Sequence, residues 1–216
     1  MKVSEKDLAK IIVDYFENQG YETYKEVTER GGKPRADIIA VKDNQYVVIE
    51  CKTTLNLKLL EQSYYWKPRS HKTFISIPTS RGTRSKSFGY TMCRDYGIGI
   101  LEVNMKSKEV IERSPSSITT EPDLPRLYEE QKDSIAGVSS GDYITPFKLT
   151  CRRLVNYIKE NKESPLNKAL ESIEHHYSNN GSAKNAIHKM INIGAIPELE
   201  VFRSNKKVFI RMKKED

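Results

Sequence analysis

Two short apolar runs, Asp37-Ile38-Ile39-Ala40-Val41 and Tyr46-Val47-Val48-Ile49-Glu50-Cys51-Lys52, flank Lys42-Asp43-Asn44-Gln45, a segment of turn-forming residues. Both runs are rich in β-formers, so together they read as a hairpin. A four-residue turn pairs Val41 with Tyr46, and stepping outwards sets Asp37 opposite Glu50. Alternation along a strand puts Glu50 and Lys52 on one face and Ile49 and Cys51 on the other. Directly opposed like charges destabilise a strand pair and raise each other's pKa, so a structural role for two acids there is hard to rationalise. A bound cation resolves the repulsion. Two hard oxygen ligands on a partly hydrated ion suit Mg²⁺. Lys52, beside them, is placed to orient or help deprotonate a water, and the geometry points to metal-assisted hydrolysis.

The Glu-x-Lys tripeptide alone carries little weight, because it occurs three times, at Glu50/Lys52, Glu130/Lys132 and Glu160/Lys162. The second lies in an acidic stretch and the third closes an amphipathic helix, where solvated charge is sufficient. Only Glu50/Lys52 ends an apolar strand. Around it the pattern reads αβββαβαβ. Ser4 followed by Asp7 starts a helix whose apolar positions Leu8, Ile11, Ile12, Tyr15 and Phe16 run to a stop at Gly20. Residues 22–27 form a strand ahead of the hairpin. After it come a helix over 57–65, a strand over 73–77, a helix over 88–96 and a last strand over 98–103.

Charge exposes the seams of the chain. Residues 1–120 hold 20 basic and 15 acidic residues, residues 121–144 hold 2 and 6, and residues 145–216 hold 14 and 8. The middle segment starts in Ser/Thr/Pro and ends in Gly/Ser, so it reads as an acidic linker over 119–144, with one helix around Leu124 to Lys132. The net charge of +7 and pI near 9.1 suit an anionic partner without demanding one. No apolar run approaches the ~20 residues that span a bilayer, and charges in the first seven residues interrupt any signal peptide. The three cysteines lack C-x-x-C spacing, which fits a reducing cytoplasm, with nucleoid association in a prokaryote. His71, His175, His176 and His188 do not fall at zinc-binding spacings. No phosphate-binding glycine loop is present, so ATP-dependent action would need a separate partner.

Ala36-Asp37, the strand pair after it and Glu50-Cys51-Lys52 resemble the PD-(D/E)XK nuclease superfamily, also called the restriction-endonuclease-like fold, over residues 1–105. The αβββαβ order with a mixed sheet is similar as well. The resemblance implies Asp37 and Glu50 as metal ligands, the Cys51 backbone carbonyl as a possible third, Mg²⁺ as the metal with Mn²⁺ substituting, and Lys52 as the residue that positions water. Glu5 is similar to the helix-one acid of resolvase-like members, and Gln62 to a glutamine that many members place in the following helix. Glu5 is preferred to Glu17, which lies beside the Gly20 stop. Ala36 stands where the superfamily name implies proline. Cys51 faces away from the acids and reads as core. Tyr64-Tyr65-Trp66 suits packing or base stacking. The loop over 79–87 brings Arg81, Arg84 and Lys86 to phosphate contact or to plain solvation.

The last block shows three amphipathic helices, with apolar positions Leu149/Leu154/Val155/Ile158, Leu166/Ala169/Leu170/Ile173 and Ala183/Ala186/Ile187/Met190/Ile191. A ribbon follows, with strands over 199–202 and 208–211. This pattern resembles a winged helix-turn-helix. The third helix leaves Lys184, Asn185, His188, Lys189 and Asn192 on its open face, residue types that contact phosphates or base edges. Arg203, Lys206 and Lys207 in the ribbon would be the wing's phosphate contacts. The whole therefore reads as an α/β nuclease domain over 1–118, the linker, and a winged-helix DNA-binding domain over 145–216. Together they describe a Mg²⁺-dependent endonuclease on double-stranded DNA, in restriction, repair or mobile-element work. A homodimer is favoured if each subunit makes one nick. The competing readings are a catalytically inactive DNA-binding regulator and a nuclease specific for branched DNA or RNA.

Overall fold

The computed structural model describes residues 3–28, 34–79, 87–134, 136–137, 145–205 and 207–213. The chain divides into two compact units, Met1–Ile144 and Thr145–Asp216. The first opens with helix α1 (Glu5–Glu17), whose N-cap Ser4 accepts a hydrogen bond from the Asp7 N–H at 3.1 Å, as the sequence predicts. Strands β1 (Glu22–Thr28), β2 (Arg35–Lys42) and β3 (Gln45–Cys51) follow as an antiparallel meander. Asp43 and Asn44 take φ of 49° and 62°, the left-handed pair required by a two-residue hairpin loop. The loop sets Val41 opposite Tyr46 and Ile38 opposite Ile49, the register expected from the sequence.

Helix α2 (Leu57–Trp66), capped by the Asn56 side chain, crosses over to strand β4 (Lys72–Pro78), which pairs parallel with β3. Helix α3 (Ser87–Asp95) crosses to β5 (Gly99–Asn104), parallel to β4. The sheet therefore has mixed sense and six strands in sequential order, the last being β6 (Glu109–Ser114), antiparallel to β5. The sequence pattern stops at the strand over 98–103. It passes over β6 because that edge strand carries Glu109, Glu112 and Arg113 and buries little. One face packs Leu8, Ile12 and Phe16 of α1 on Ile38, Ile49, Cys51 and Leu101. The other packs Trp66 and Leu59 of α2, with Cys93 of α3, on Ile39, Val48, Ile75 and Ile100. The cysteines are free thiols, Cys51 and Cys93 buried and Cys151 half-buried.

The segment predicted as an acidic linker departs from that reading. Its described part stays on the first unit: Thr119 N–H donates to His71 O and Asp123 N–H to Pro68 O, each at 2.9 Å. Lys25 Nζ reaches Lys132 O at 2.7 Å, and Lys132 pairs with Glu22 at 3.2 Å and Glu129 at 2.8 Å. The helix expected over Leu124–Lys132 is absent. Residues 122–128, which include Pro122 and Pro125 without backbone N–H donors, take no regular structure, and one 3₁₀ turn stands at Glu129–Gln131.

The second unit comprises α4 (Pro146–Asn161), β7 (Glu163–Pro165), α5 (Leu166–Glu171), α6 (Asn180–Asn192), β8 (Leu199–Ser204) and β9 (Lys207–Met212). Thr145 caps α4 and Asn179 caps α6. The three helices and the hairpin appear as expected, although the middle helix ends before Ile173. The addition is β7, which joins β9 on the side opposite β8 to make an antiparallel sheet of order β7-β9-β8. Leu154, Ile158, Leu166, Leu170, Ile187 and Ile210 form its core.

Gly99 provides a test of the main sheet. A Cβ there would run into the Phe74 ring and lie 2.8 Å from Ser116 N. Gly99→Ala should therefore cost about 1–3 kcal/mol, measured as a lower urea midpoint at unchanged m-value.

Candidate active site

Asp37 and Glu50 occupy the step beyond the Ile38–Ile49 pair, near the end of the hairpin away from its turn. Apolar packing above and below this strand pair buries both, leaving Asp37 6% and Glu50 0% exposed. Asp37 Oδ2 accepts the Cys51 N–H at 2.8 Å, which ties the acid of β2 to the backbone of β3. Neither Glu50 oxygen has a hydrogen-bond partner. Lys52 lies just past β3, where its N–H donates to Ser76 O at 3.0 Å, one step beyond the parallel pairing of β3 with β4. Its ammonium donates to Glu5 Oε2 at 2.7 Å. The Ser4 cap places Glu5 in the first turn of α1 and so within reach.

The electrostatics follow from burial. Desolvation raises the Asp37 pKa, opposed by the Cys51 N–H and by the charges of Lys52 and Arg35. Glu50 is pushed well above the ordinary glutamate range, first by burial and then by the adjacent Asp37 charge, which Lys52 only partly offsets. For Lys52, burial disfavours the cation, but the hydrogen bond to Glu5 and the fields of Asp37, Glu5 and Glu50 prevail and raise its pKa. The group at neutral pH is therefore an ammonium beside acids that lack enough positive charge. Burial, followed by the Asp37 and Glu50 charges, lifts the Cys51 thiol far above its usual range; its side chain packs in the α1 core, as expected.

Among the described residues no group of three or more His, Cys, Asp or Glu side chains is gathered as a metal site. The two carboxylates nevertheless fit a hard divalent cation. Glu50 presents two buried oxygens with no donor facing them, next to a second buried acid whose charge opposes its own.

The structure thus brings Glu5, Asp37, Glu50 and Lys52 together. Gln62 lies on α2 with Oε1 buried and without a partner. Glu17 accepts from the Thr23 hydroxyl and from Lys25 at the α1–β1 turn. The aromatic trio splits: Trp66 is core, Tyr65 lies 3.9 Å under the Arg69 guanidinium, and Tyr64 stays exposed against Tyr96 with ring centroids 5.1 Å apart. On α6, Asn185, Lys189 and Asn192 are exposed and Lys184 and His188 half-buried, while Arg203 and Lys207 are exposed on the β8–β9 hairpin. Arg81, Arg84, Lys86 and Lys206 lie outside the described residues. Two residues with no motif to mark them also act on the site: buried Glu26 and its ion-pair partner Arg35, whose charges both reach Glu50.

Residues 1–59 match a protein-family model, Mrr_cat, described as a restriction endonuclease. The mixed six-stranded sheet of the first unit, with its flanking helices, is compatible with a restriction-endonuclease-like core. Among solved structures, the chain is similar to an XisH family protein from Nostoc punctiforme, with 12% identity and a TM-score of 0.39, over 49% of this chain and 96% of that one. No curated protein matches. No helix among the described residues is long and apolar enough to cross a membrane.

The raised pKa of Glu50 gives a pH test. The unfolded chain ionises this acid near pH 4.5 while the fold still holds the proton. Stability is therefore lost as pH rises from there through the folded-state value. Glu50→Gln, neutral throughout, should melt higher than the native protein in EDTA at pH 8, at roughly 2–4 °C per kcal/mol. The gain should vanish on acidification below pH 4.5.

Proposed function

We propose, from the restriction endonuclease match over residues 1–59, that this chain is a divalent-metal-dependent endonuclease hydrolysing phosphodiester bonds of double-stranded DNA. The observation that carries the reading is Glu50, whose two buried, partnerless oxygens lie beside buried Asp37, with Lys52 close by. Asp37, Glu50 and the Cys51 carbonyl would hold Mg²⁺, or Mn²⁺ in its place. When bound, the ion supplies Lewis-acid polarisation of the scissile phosphate and acidifies water.

The chain's own residues do the rest. Lys52 keeps its proton, so it serves as a donor: it orients the attacking water and stabilises the charge that builds on the phosphate oxygens. Glu5 fixes the position of the ammonium through their 2.7 Å contact. Gln62, on the helix packed over β3 and β4, is a further polar group for the substrate side. The Cys51 N–H holds Asp37 Oδ2, leaving that carboxylate's other oxygen for a ligand.

The α-β-α-α-β-β order of the second unit is similar to a winged helix-turn-helix. In this reading α6 is the recognition helix, presenting Lys184, Asn185, His188, Lys189 and Asn192 to DNA. Arg203, Lys206 and Lys207 of the wing, with Arg81, Arg84 and Lys86 of the first unit, contact phosphates. A homodimer would let two such sites cut both strands, in restriction, repair or mobile-element processes.

The test is cleavage of supercoiled, linear, single-stranded and branched DNA in Mg²⁺, Mn²⁺ and EDTA. Asp37→Ala and Lys52→Ala should each lower metal-dependent cutting of duplex DNA by at least about 100-fold with DNA affinity retained. A native protein that binds DNA but cuts none of these substrates would point instead to a regulator. The second unit is tested separately. Lys184→Ala and Lys189→Ala should weaken binding on every sequence and each reduce the salt slope by about 1, read by titration across KCl concentrations.

A further inference from the structure

Glu26 is buried at 0% exposure in the middle of β1, yet its φ is 57°. That left-handed conformation is disfavoured for a side chain of this kind. The flanking residues keep ordinary pairing, Lys25 with Ile38 and Val27 with Ala36, so the ladder itself does not require it. Such a conformation persists where the surroundings over-determine it, and the groups that hold the carboxylate include two from outside β1. The Arg35 guanidinium pairs with it, and Gly137 N–H donates to its Oε1 at 2.8 Å.

Gly137 stands directly on the candidate site's first helix. A Cβ there would lie 2.9 Å from Glu5 O, 3.0 Å from the Glu5 carbonyl carbon and 3.1 Å from Lys6 N, and its φ of 74° is itself one that favours glycine. Ala136 beside it belongs to the core under α1. At the other end, Arg35 lies two residues before Asp37, and its charge is felt by both Asp37 and Glu50. A guanidinium released from Glu26 would remain within the field of those two carboxylates, and arginine binds carboxylates in the two-pronged manner that would exclude a metal.

We propose that Glu26 is a positioning residue of the metal-binding site. Its carboxylate holds Arg35 off Asp37 and Glu50 and seats Gly137 against the first turn of α1, so that Glu5 meets Lys52. The proposal rests on the nuclease reading for its catalytic consequence, but not for its effect on metal affinity.

The experiment uses the full chain with Glu26→Gln, Glu26→Asn, Gly137→Ala and, as a control, Gly20→Ala. Gly20 shares the left-handed backbone at φ 83° but meets nothing nearer than Lys42 Nζ at 3.6 Å. Mn²⁺ binding is measured calorimetrically without DNA, alongside melting temperature and the kcat and KM of plasmid cleavage. The Glu26 variants should melt within a few degrees of the native protein but bind Mn²⁺ about tenfold more weakly, Asn being the variant that tolerates the left-handed backbone if Gln does not fold. Gly137→Ala should lower kcat with little change in KM, and Gly20→Ala should change neither metal affinity nor kcat. Folded Glu26 variants with native Mn²⁺ affinity would overturn the proposal, as would affinity lost only in step with melting temperature, or a native protein that binds no Mn²⁺. If the native protein binds Mn²⁺ and cuts no DNA while the Glu26 variants lose affinity, the nuclease reading fails and the positioning role stands.

Discussion

The left-handed pair Asp43 and Asn44 turns the chain between β2 and β3, and the register it imposes decides what every later residue faces. Strand alternation has a period of two, so a slip of one residue would exchange the faces of the hairpin. Ile38 and Ile49 would leave the layer under α1, and the two acids would move into it. With the register as it is, each face of the sheet receives apolar side chains from its own helix layer. β4 then adds in parallel to β3, carrying its hydrogen bonding on to Lys52 N–H. That last bond determines where the ammonium leaves the sheet, and so whether it can meet Glu5.

Once the hairpin is closed, burial works against charge. Desolvation opposes the ionised forms of Asp37 and Glu50, and the proximity of the two acids adds to the penalty on Glu50. The Lys52–Glu5 pair has its side chains 24% and 35% exposed, and pairs of that kind contribute little stability. Its value is geometric, since it fixes a flexible lysine on one side of an acidic site. The fold is in this sense assembled around a deficit of positive charge, an arrangement expected of groups kept for a ligand rather than for their own stability.

Local chemistry made much of this legible in the sequence. The hairpin register follows from four turn residues, the start of α1 from Ser4 and Asp7, and the shared face of Glu50 and Lys52 from alternation alone. Glu5 came only through resemblance to known nucleases, because no spacing rule connects a helix start to a strand end 47 residues away. What escaped depends on partners distant in sequence. Glu163-Ser164-Pro165 looks like a turn between helices and becomes a strand only where β9 arrives to pair with it. The docking of the acidic segment rests on contacts such as Gly137 with Glu26, 111 residues apart, which leave no periodic trace. Likewise, a glutamate in a short strand gives no sign that its backbone is left-handed.

The three thiols carry a separate consequence. Burial holds Cys51 far above its usual pKa, Cys93 is pushed up to about 11, and Cys151 to about 12. Only the thiolate attacks a disulfide or reacts readily with an oxidant, and at neutral pH all three sulfurs are kept protonated. Cys51, although it is flanked in sequence by Glu50 and Lys52, is sealed in the layer under α1. The thiol next to the carboxylate site is therefore held protonated and out of solvent, so that attack by Cys51 on an oxidant is disfavoured while the fold is intact.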